Sequence, residues 1–241
     1  QETNYALEAE NLARFADFFA DRPGVRVPRP IPELVRPTVM VMEFVDGRPF
    51  DEAVNEIEDL EERNRLAARF VETFVHMFHE LNVLHADPHP GNFMLDTDHN
   101  IVLLDFGCVR DFSAEMADTV LHMLDAYWER DVRRLIGLAQ EIGFGRDDAE
   151  PPEADIFAEY LDMILEPLAE YGPFRFAEFK VHGRVRTFLR TNLSMVRFVP
   201  PAELLMYFRV LAGMKGMMTR IDAAVDLRQI AQDCCERRGI R

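Results

Sequence analysis

The sequence predicts an α+β fold with its strands in the first half and a helical second half. Three observations carry this. Short apolar or β-branched runs cluster before residue 107: TVMVMEF at 38–44, NFML at 92–95 and IVLLDF at 101–106. One long amphipathic helical pattern separates the first run from the other two. From Ser113 nearly to the C-terminus the apolar residues recur at helical spacing, punctuated by Gly143, Gly172, Pro151-Pro152 and Pro200-Pro201.

In chain order, Tyr5, Leu7, Leu12, Phe15, Phe18 and Phe19 predict a helix over 4–20. Residues 22–37 hold five prolines in sixteen positions and predict extended chain and turns, because proline removes amide donors and disfavours helix before it. The run 38–44 reads as a strand and VDGRPF after it as a turn. Leu66, Phe70, Phe74, Phe78 and Leu81, spaced by four and three, predict a helix over about 60–81. NFML and IVLLDF, joined by DTDHN, read as a hairpin. Further helices are expected over 114–128, 131–142, 153–170, 176–191, 201–219 and 226–237.

The chain has 241 residues, 48% of them hydrophobic, enough for a sizeable core. Its formal net charge is −16, and only two of the 27 basic residues are lysines, Lys180 and Lys215. A field of that sign disfavours nucleic acid, and phosphate chemistry in it requires a divalent cation. Three cysteines, two of them adjacent, give no disulfide framework and point to a reducing, cytoplasmic setting. The opening QETNYALEAEN has no initiator Met and starts inside a helical pattern, so a piece of a longer protein is expected.

The densest chemistry lies in HADPHPGN at 85–92 and DFG at 105–107. Asp87 precedes Asn92 by five residues, and Asp105 follows Asn92 by thirteen. The spacing resembles a protein-kinase catalytic loop, with an Asp facing the acceptor, an Asn metal ligand five residues on, and the metal-binding Asp of DFG. Phosphoryl transfer needs a carboxylate near the acceptor hydroxyl or water and hard oxygen ligands that hold Mg²⁺ against phosphates. Asp87 suits the first task; Asn92 and Asp105 suit the second. Upstream, VMVMEFVDG resembles a kinase hinge, in which the backbone of Glu43 and Val45 meets an adenine ring and Met42 closes the rear of the pocket. Glu8 lies where a kinase helix carries the Glu that orients a phosphate-gripping lysine.

HADPHPGN with DFG at that distance resembles the UbiB/AarF group of atypical kinase-like proteins, linked to coenzyme Q biosynthesis. ETNYALEAEN is similar to that family's E-x-D-Y-x-x-E-A-x-N helix, and PPAELLMYFRVLAGMKGMMTRID to its later helical region. The resemblance spans nearly the whole chain. It implies a protein-kinase-like fold, with residues 1–45 as a partial N-terminal lobe with hinge and 46–241 as the helical C-terminal lobe. It implies ATP and Mg²⁺ as cofactors, Asp87 as the catalytic-loop Asp, Asn92 and Asp105 as metal ligands, and Glu8 as the lysine-pairing Glu. Glu2 falls in the family's Glu-x-Asp element, where this sequence has Asn4 in place of Asp. The family's KxGQ element, alanine-rich nucleotide loop and strand lysine precede the Glu helix, and this chain has no lysine before Lys180.

After DFGCVRD a helix is expected within about six residues, leaving little of the segment that holds a peptide in protein kinases. That favours a small-molecule or lipid-type acceptor, or ATP hydrolysis. Other readings stay open: an aminoglycoside-phosphotransferase-like small-molecule kinase, a nucleotide-sensing pseudokinase, or a transition-metal site built on His76, His79, His85 and His89. The last leaves the Asn92 and Asp105 spacings unexplained. Membrane association, peripheral to an inner face, and homo-oligomerisation are also left open. The Met-rich stretch 195–218 reads as core, Arg184, Arg186, Arg190 and Arg197 as a solvated face, and Cys108 as a small filler.

Overall fold

The computed structural model describes residues 4–145 and 150–240. Helix α1 (Tyr5–Phe19) forms where the apolar spacing predicts it and buries Ala9, Leu12, Phe15, Ala16 and Phe19 on one face. After the Pro23-Gly24 break, β1 (Val25–Arg26) runs parallel to the later strand β5.

The strand expected over 38–44 does not form. That run is extended but is tied only by isolated bridges, Pro30 to Met42 and Arg36 to Val39. The cause lies in its partner, 28–32, where Pro28, Pro30 and Pro32 have no N–H to donate. The two bonds that survive come from non-proline amides: Ile31 N donates to Val41 O at 2.8 Å and Glu43 N to Arg29 O at 2.9 Å. The expected turn at 45–50 also differs. Gly47–Pro49 is strand β2, followed by helix α2 (Phe50–Asn55).

Helix α3 (Leu60–His79) is capped by Asp59, whose side chain accepts from Glu61 N at 2.9 Å. Its stripe buries Leu66, Phe70, Phe74, Met77 and Phe78. Phe70 is the centre of an aromatic cluster, 5.0 Å from Phe50 and 4.9 Å from Phe93 between ring centroids. Strand β3 (Val83–His85) leads into the motif loop. Strands β4 (Phe93–Asp96) and β5 (Ile101–Leu103) form the expected hairpin. The buried Asp96 carboxylate closes its turn by accepting from Asp98 N and Asn100 N. The four-stranded sheet runs β1-β5-β4-β2. Strand β6 (Val109–Asp111) pairs antiparallel with β3, setting His85 opposite Val109.

The second half is helical. It comprises α4 (Ala114–Trp128), α5 (Val132–Glu141), α6 (Ala154–Ile164), α7 (Glu166–Ala169), α8 (Val181–Thr191), α9 (Ala202–Arg220) and α10 (Leu227–Arg237). Two expected helices are shorter than their patterns. The one over 153–170 breaks after Ile164, because Pro167 has no amide to continue the ladder and instead sits in the first turn of α7. The one over 176–191 starts late because β7 (Phe174–Arg175) pairs with β8 (Ala224–Val225) and a 3₁₀ turn follows before α8.

One core joins α1, α3, the hairpin, Phe106, α9 and α10; a second lies among α4, α5, α6 and α8. The methionines of the 195–218 region belong to these interiors, since Met195, Met214, Met217 and Met218 are buried and Met206 is partly so.

His79 ends α3 inside the core, where its Nδ1 donates to Ala117 O at 2.9 Å. Burial pushes its pKa from 6.5 down to about 4, opposed by the Ala117 carbonyl and by Asp118 and Glu80, and assisted by Arg238. The fold therefore favours neutral His79. Its contribution is complete above pH 6.5 and is lost as pH falls toward 4, a swing on the order of 3 kcal/mol. Urea unfolding across that window should show wild type losing more stability than His79→Gln; parallel pH profiles would contradict the assignment.

Candidate active site

The loop 85–92 leaves β3 and is fixed at once to the next strand pair, where Ala86 N donates to Cys108 O at 2.8 Å. Pro88 and Pro90 limit the backbone on either side of His89. The Asp87 carbonyl accepts two bonds, from His89 N at 2.8 Å and from Asn92 Nδ2 at 2.9 Å. Asn92 Nδ2 also reaches Asp87 Oδ2 at 3.2 Å. The side-chain nitrogen of Asn92 is thus committed to Asp87, which leaves Asn92 Oδ1 as the group available to a cation.

His85 is fully buried, and its Nδ1 accepts from Asp87 N at 3.3 Å. Burial pushes its pKa below the ordinary value, opposed by the Asp105 backbone and by the charges of Asp105 and Asp87. A neutral imidazole accepting at Nδ1 carries its proton on Nε2, so His85 braces the loop from below. His89 is exposed, and its Nδ1 accepts from Gly91 N at 3.1 Å.

Asp105 is delivered by the hairpin. Phe93 pairs with Leu103, and one residue on, Leu104 N donates to Asn92 O at 3.1 Å. Asp105 therefore follows directly on the bond to Asn92. Phe106 then turns inward and is fully buried, its ring 4.7 Å from Phe15 of α1 and 5.5 Å from His85. Asn11 Nδ2, also on α1, donates to Phe106 O at 3.1 Å. Gly107 N donates to Asp105 Oδ1 at 2.8 Å.

The same face of α1 carries Glu8 toward Asp105. A Cβ added at Gly107 would lie 3.3 Å from Asp105 Oδ1 and 3.7 Å from Glu8 Oε2, so the glycine leaves open a space that both carboxylates border. Glu8 has a raised pKa, first through burial and then through the charge of Asp105, opposed by the Phe106 backbone amide. Burial and the neighbouring like charge both disfavour its ionised form.

Of the residues expected from sequence, Asp87 and Asn92 touch directly, Asp105 joins them through the hairpin, and Glu8 reaches Asp105. Met42, Glu43 and Val45 lie on the extended arm, with Met42 packed on the main core and Val45 buried. The Glu43 amide is taken by Arg29 O, while neither the Glu43 carbonyl nor the Val45 amide bonds another described backbone group. Glu2 lies outside the described residues. Sequence reasoning missed Asn11 and Phe15 as site supports. Their positions three and seven residues after Glu8 put them on its face of the helix, which was the available signal.

The donor set fits Mg²⁺. Asn92 Oδ1 and the Asp105 carboxylate are hard oxygens at a polar, solvent-accessible place, and Mg²⁺ is commonly held by one or two protein carboxylates with water and phosphate completing its shell. Among the described residues no group of three or more His, Cys, Asp or Glu converges as a metal site by itself, and the four histidines are not gathered into one. A groove of about 1020 Å³ between α6 and α8, lined by Asp155, Glu159, Arg184 and Phe188 among others, includes none of these residues.

Comparison with known proteins gives the family and the fold. The ABC1 atypical kinase-like domain matches residues 1–139. Atypical kinase coq-8, mitochondrial, of Caenorhabditis elegans is 28% identical over 230 residues, covering 93% of this chain and 30% of its own length. Atypical kinase COQ8B, mitochondrial, of Rattus norvegicus is 27% identical over 237 residues, covering 98% and 44%. Probable protein kinase UbiB of Pseudomonas putida F1 is 26% identical over 240 residues, covering 98% and 43%. The chain thus spans less than half the length of these relatives. Rv3197 of Mycobacterium tuberculosis, solved with erythromycin, superposes with a TM-score of 0.73 over 97% of this chain and 58% of its own, at 24% identity, and that likeness carries the kinase-like fold.

The raised pKa of Glu8 has a sign that can be tested. An acid whose folded pKa lies above its unfolded value contributes stability at low pH and loses it as pH rises through the folded pKa. At neutral pH the charged Glu8 therefore weakens the ligand-free fold. Glu8→Gln keeps an oxygen for the Phe106 amide and should raise the ligand-free melting temperature at pH 7 while weakening Mg–nucleotide binding. A lower melting temperature would contradict this reading.

Proposed function

The chain belongs to the ABC1 atypical kinase-like family, and on that premise we propose that it forms the hinge and helical lobe of a UbiB-type enzyme that uses Mg–ATP and supports ubiquinone biosynthesis. The observation that carries the reading is the double hold of Asn92 Nδ2 on Asp87, beside an Asp105 brought in by the hairpin. In this reading Asp87 Oδ1 is left for the acceptor, and Asn92 Oδ1 and the Asp105 carboxylate are left for a metal. Bound Mg²⁺ would neutralise phosphate charge there.

In this reading Asp87 orients the acceptor hydroxyl or a water and takes its proton. Asn92 and Asp105 hold the metal. Glu8 orients a cationic group on the phosphates. The adenine edge meets the Glu43 carbonyl and the Val45 amide, with Met42 behind it.

The acceptor is a small molecule, a lipid-type molecule or water. Helix α4 begins at Ala114 with Ser113 accepting from Met116 N at 3.0 Å, so only β6 lies between DFG and the next helix. A segment that short favours such an acceptor over a peptide. Among the described residues no helix is long and apolar enough to cross a membrane.

In the full natural chain, Asp87→Asn should lower ATP turnover by about a hundredfold or more with a smaller change in KM for ATP. Asp105→Asn should remove the Mg²⁺ dependence of nucleotide binding, read by calorimetry with and without the metal. Turnover unchanged in both variants would refute the assignment.

A further inference from the structure

The outer face of the motif loop rests on helix α9, and the contact is made by a glycine. A Cβ added at Gly213 would lie 2.1 Å from Cγ of Pro88, 3.0 Å from its Cβ and 3.4 Å from its Cδ. No side chain fits there unless the backbone on one side moves. The pyrrolidine ring cannot swing aside as a long flexible side chain can, because it is closed onto its own backbone nitrogen. Nor can α9 withdraw freely, since Val210, Met214, Met217 and Met218 are buried in the same core as Leu84, Ala86 and Phe93.

The same helix holds a control. Gly216, less than one turn further on, would have nothing within 4 Å of an added Cβ. Glycine weakens a helix interior relative to alanine at both positions. At 216 nothing in the structure requires it; at 213 the loop does.

The contact falls next to the chemistry. Pro88 follows Asp87, and a residue before proline is held extended, so the ring and the Asp87 carbonyl move as one unit. That carbonyl accepts both His89 N and Asn92 Nδ2. A push on Pro88 is therefore a push on the Asp87–Asn92 pair.

We propose that Gly213 is a positioning residue, and that α9 seats directly on the Pro88 ring to hold Asp87 and Asn92 at the depth phosphoryl transfer requires. The catalytic part of this rests on the role given to Asp87 above; the contact itself does not. Misplacement of a reacting group by about 1 Å can cost about a hundredfold in rate.

The test uses the full natural chain with Gly213→Ala, Gly216→Ala, Pro88→Ala and the Gly213→Ala/Pro88→Ala pair. Two quantities are read: steady-state ATP turnover, and hydrogen exchange of the His89 and Asn92 amides without nucleotide. Gly213→Ala should lower kcat by about tenfold or more, with KM for ATP changed less, and should speed exchange of both amides. In the Pro88→Ala background, where Cγ and Cδ are gone and the remaining Cβ is no longer held in a ring, the same substitution should change kcat and exchange by less than about threefold. Gly216→Ala should leave both at wild-type values. Unchanged exchange in Gly213→Ala, or an equal loss in the Pro88→Ala background, overturns the proposal. If Gly213→Ala loosens the loop while Asp87→Asn leaves turnover intact, the contact stands and the assigned reaction falls.

Discussion

The Phe106 ring is packed between Phe15 of α1 and His85 of β3, and this burial decides where the carboxylates on either side of it can be. Full burial of a phenylalanine stabilises by about 2–3 kcal/mol, and each aromatic pair adds roughly 0.5–1.5. The Asn11 bond to the Phe106 carbonyl contributes about 1 kcal/mol more. Against this stands the repulsion of Glu8 and Asp105, about 1–4 kcal/mol at close range and toward the low end because Asp105 is exposed. Packing wins, so the acidic pair is held in place before any cation arrives. The fold accepts a local electrostatic cost that a bound cation would relieve.

The other half of the site is held differently. Asp87 and Asn92 sit on one short loop, and their mutual geometry comes from hydrogen bonds inside it. A neutral, buried His85 supports the loop from beneath by accepting the Asp87 amide. Burial of an ionised imidazole there would be costly, and its neutrality keeps a competing positive charge away from the two aspartates. The remaining support comes from Cys108, just before β6, through the Ala86 amide and from α9 through the Pro88 ring. Residues distant in sequence thus converge on a loop whose chemistry is local.

That division explains what the sequence made legible. Asp87, Asn92 and Asp105 stand at fixed spacing on one loop and one hairpin, so the spacing alone predicts their proximity. Helix α3 was readable because a buried stripe must repeat near 3.6 residues, and the span 114–128 expected from the pattern is α4 itself. The strand at 38–44 was misread because its β-branched composition says nothing about its partner, whose prolines cannot donate. The pairings β3 with β6 and β7 with β8 were invisible for a related reason: strands of two or three residues carry no usable periodicity. Pro167 was visible in the sequence and should have divided the 153–170 helix. Phe106 was seen as part of DFG, but its packing on α1 depends on tertiary contacts that no local pattern encodes.

The most direct measurement is an experimental structure of the full natural chain with Mg²⁺ and a non-hydrolysable ATP analogue. The account predicts the metal at about 2.1 Å from both Asn92 Oδ1 and an Asp105 carboxylate oxygen. Asn92 Nδ2 should still be bonded to Asp87, and Phe106 should still lie against Phe15. A metal bound away from Asn92 and Asp105, or an Asn92 side chain that has released Asp87 to reach it, would contradict the account.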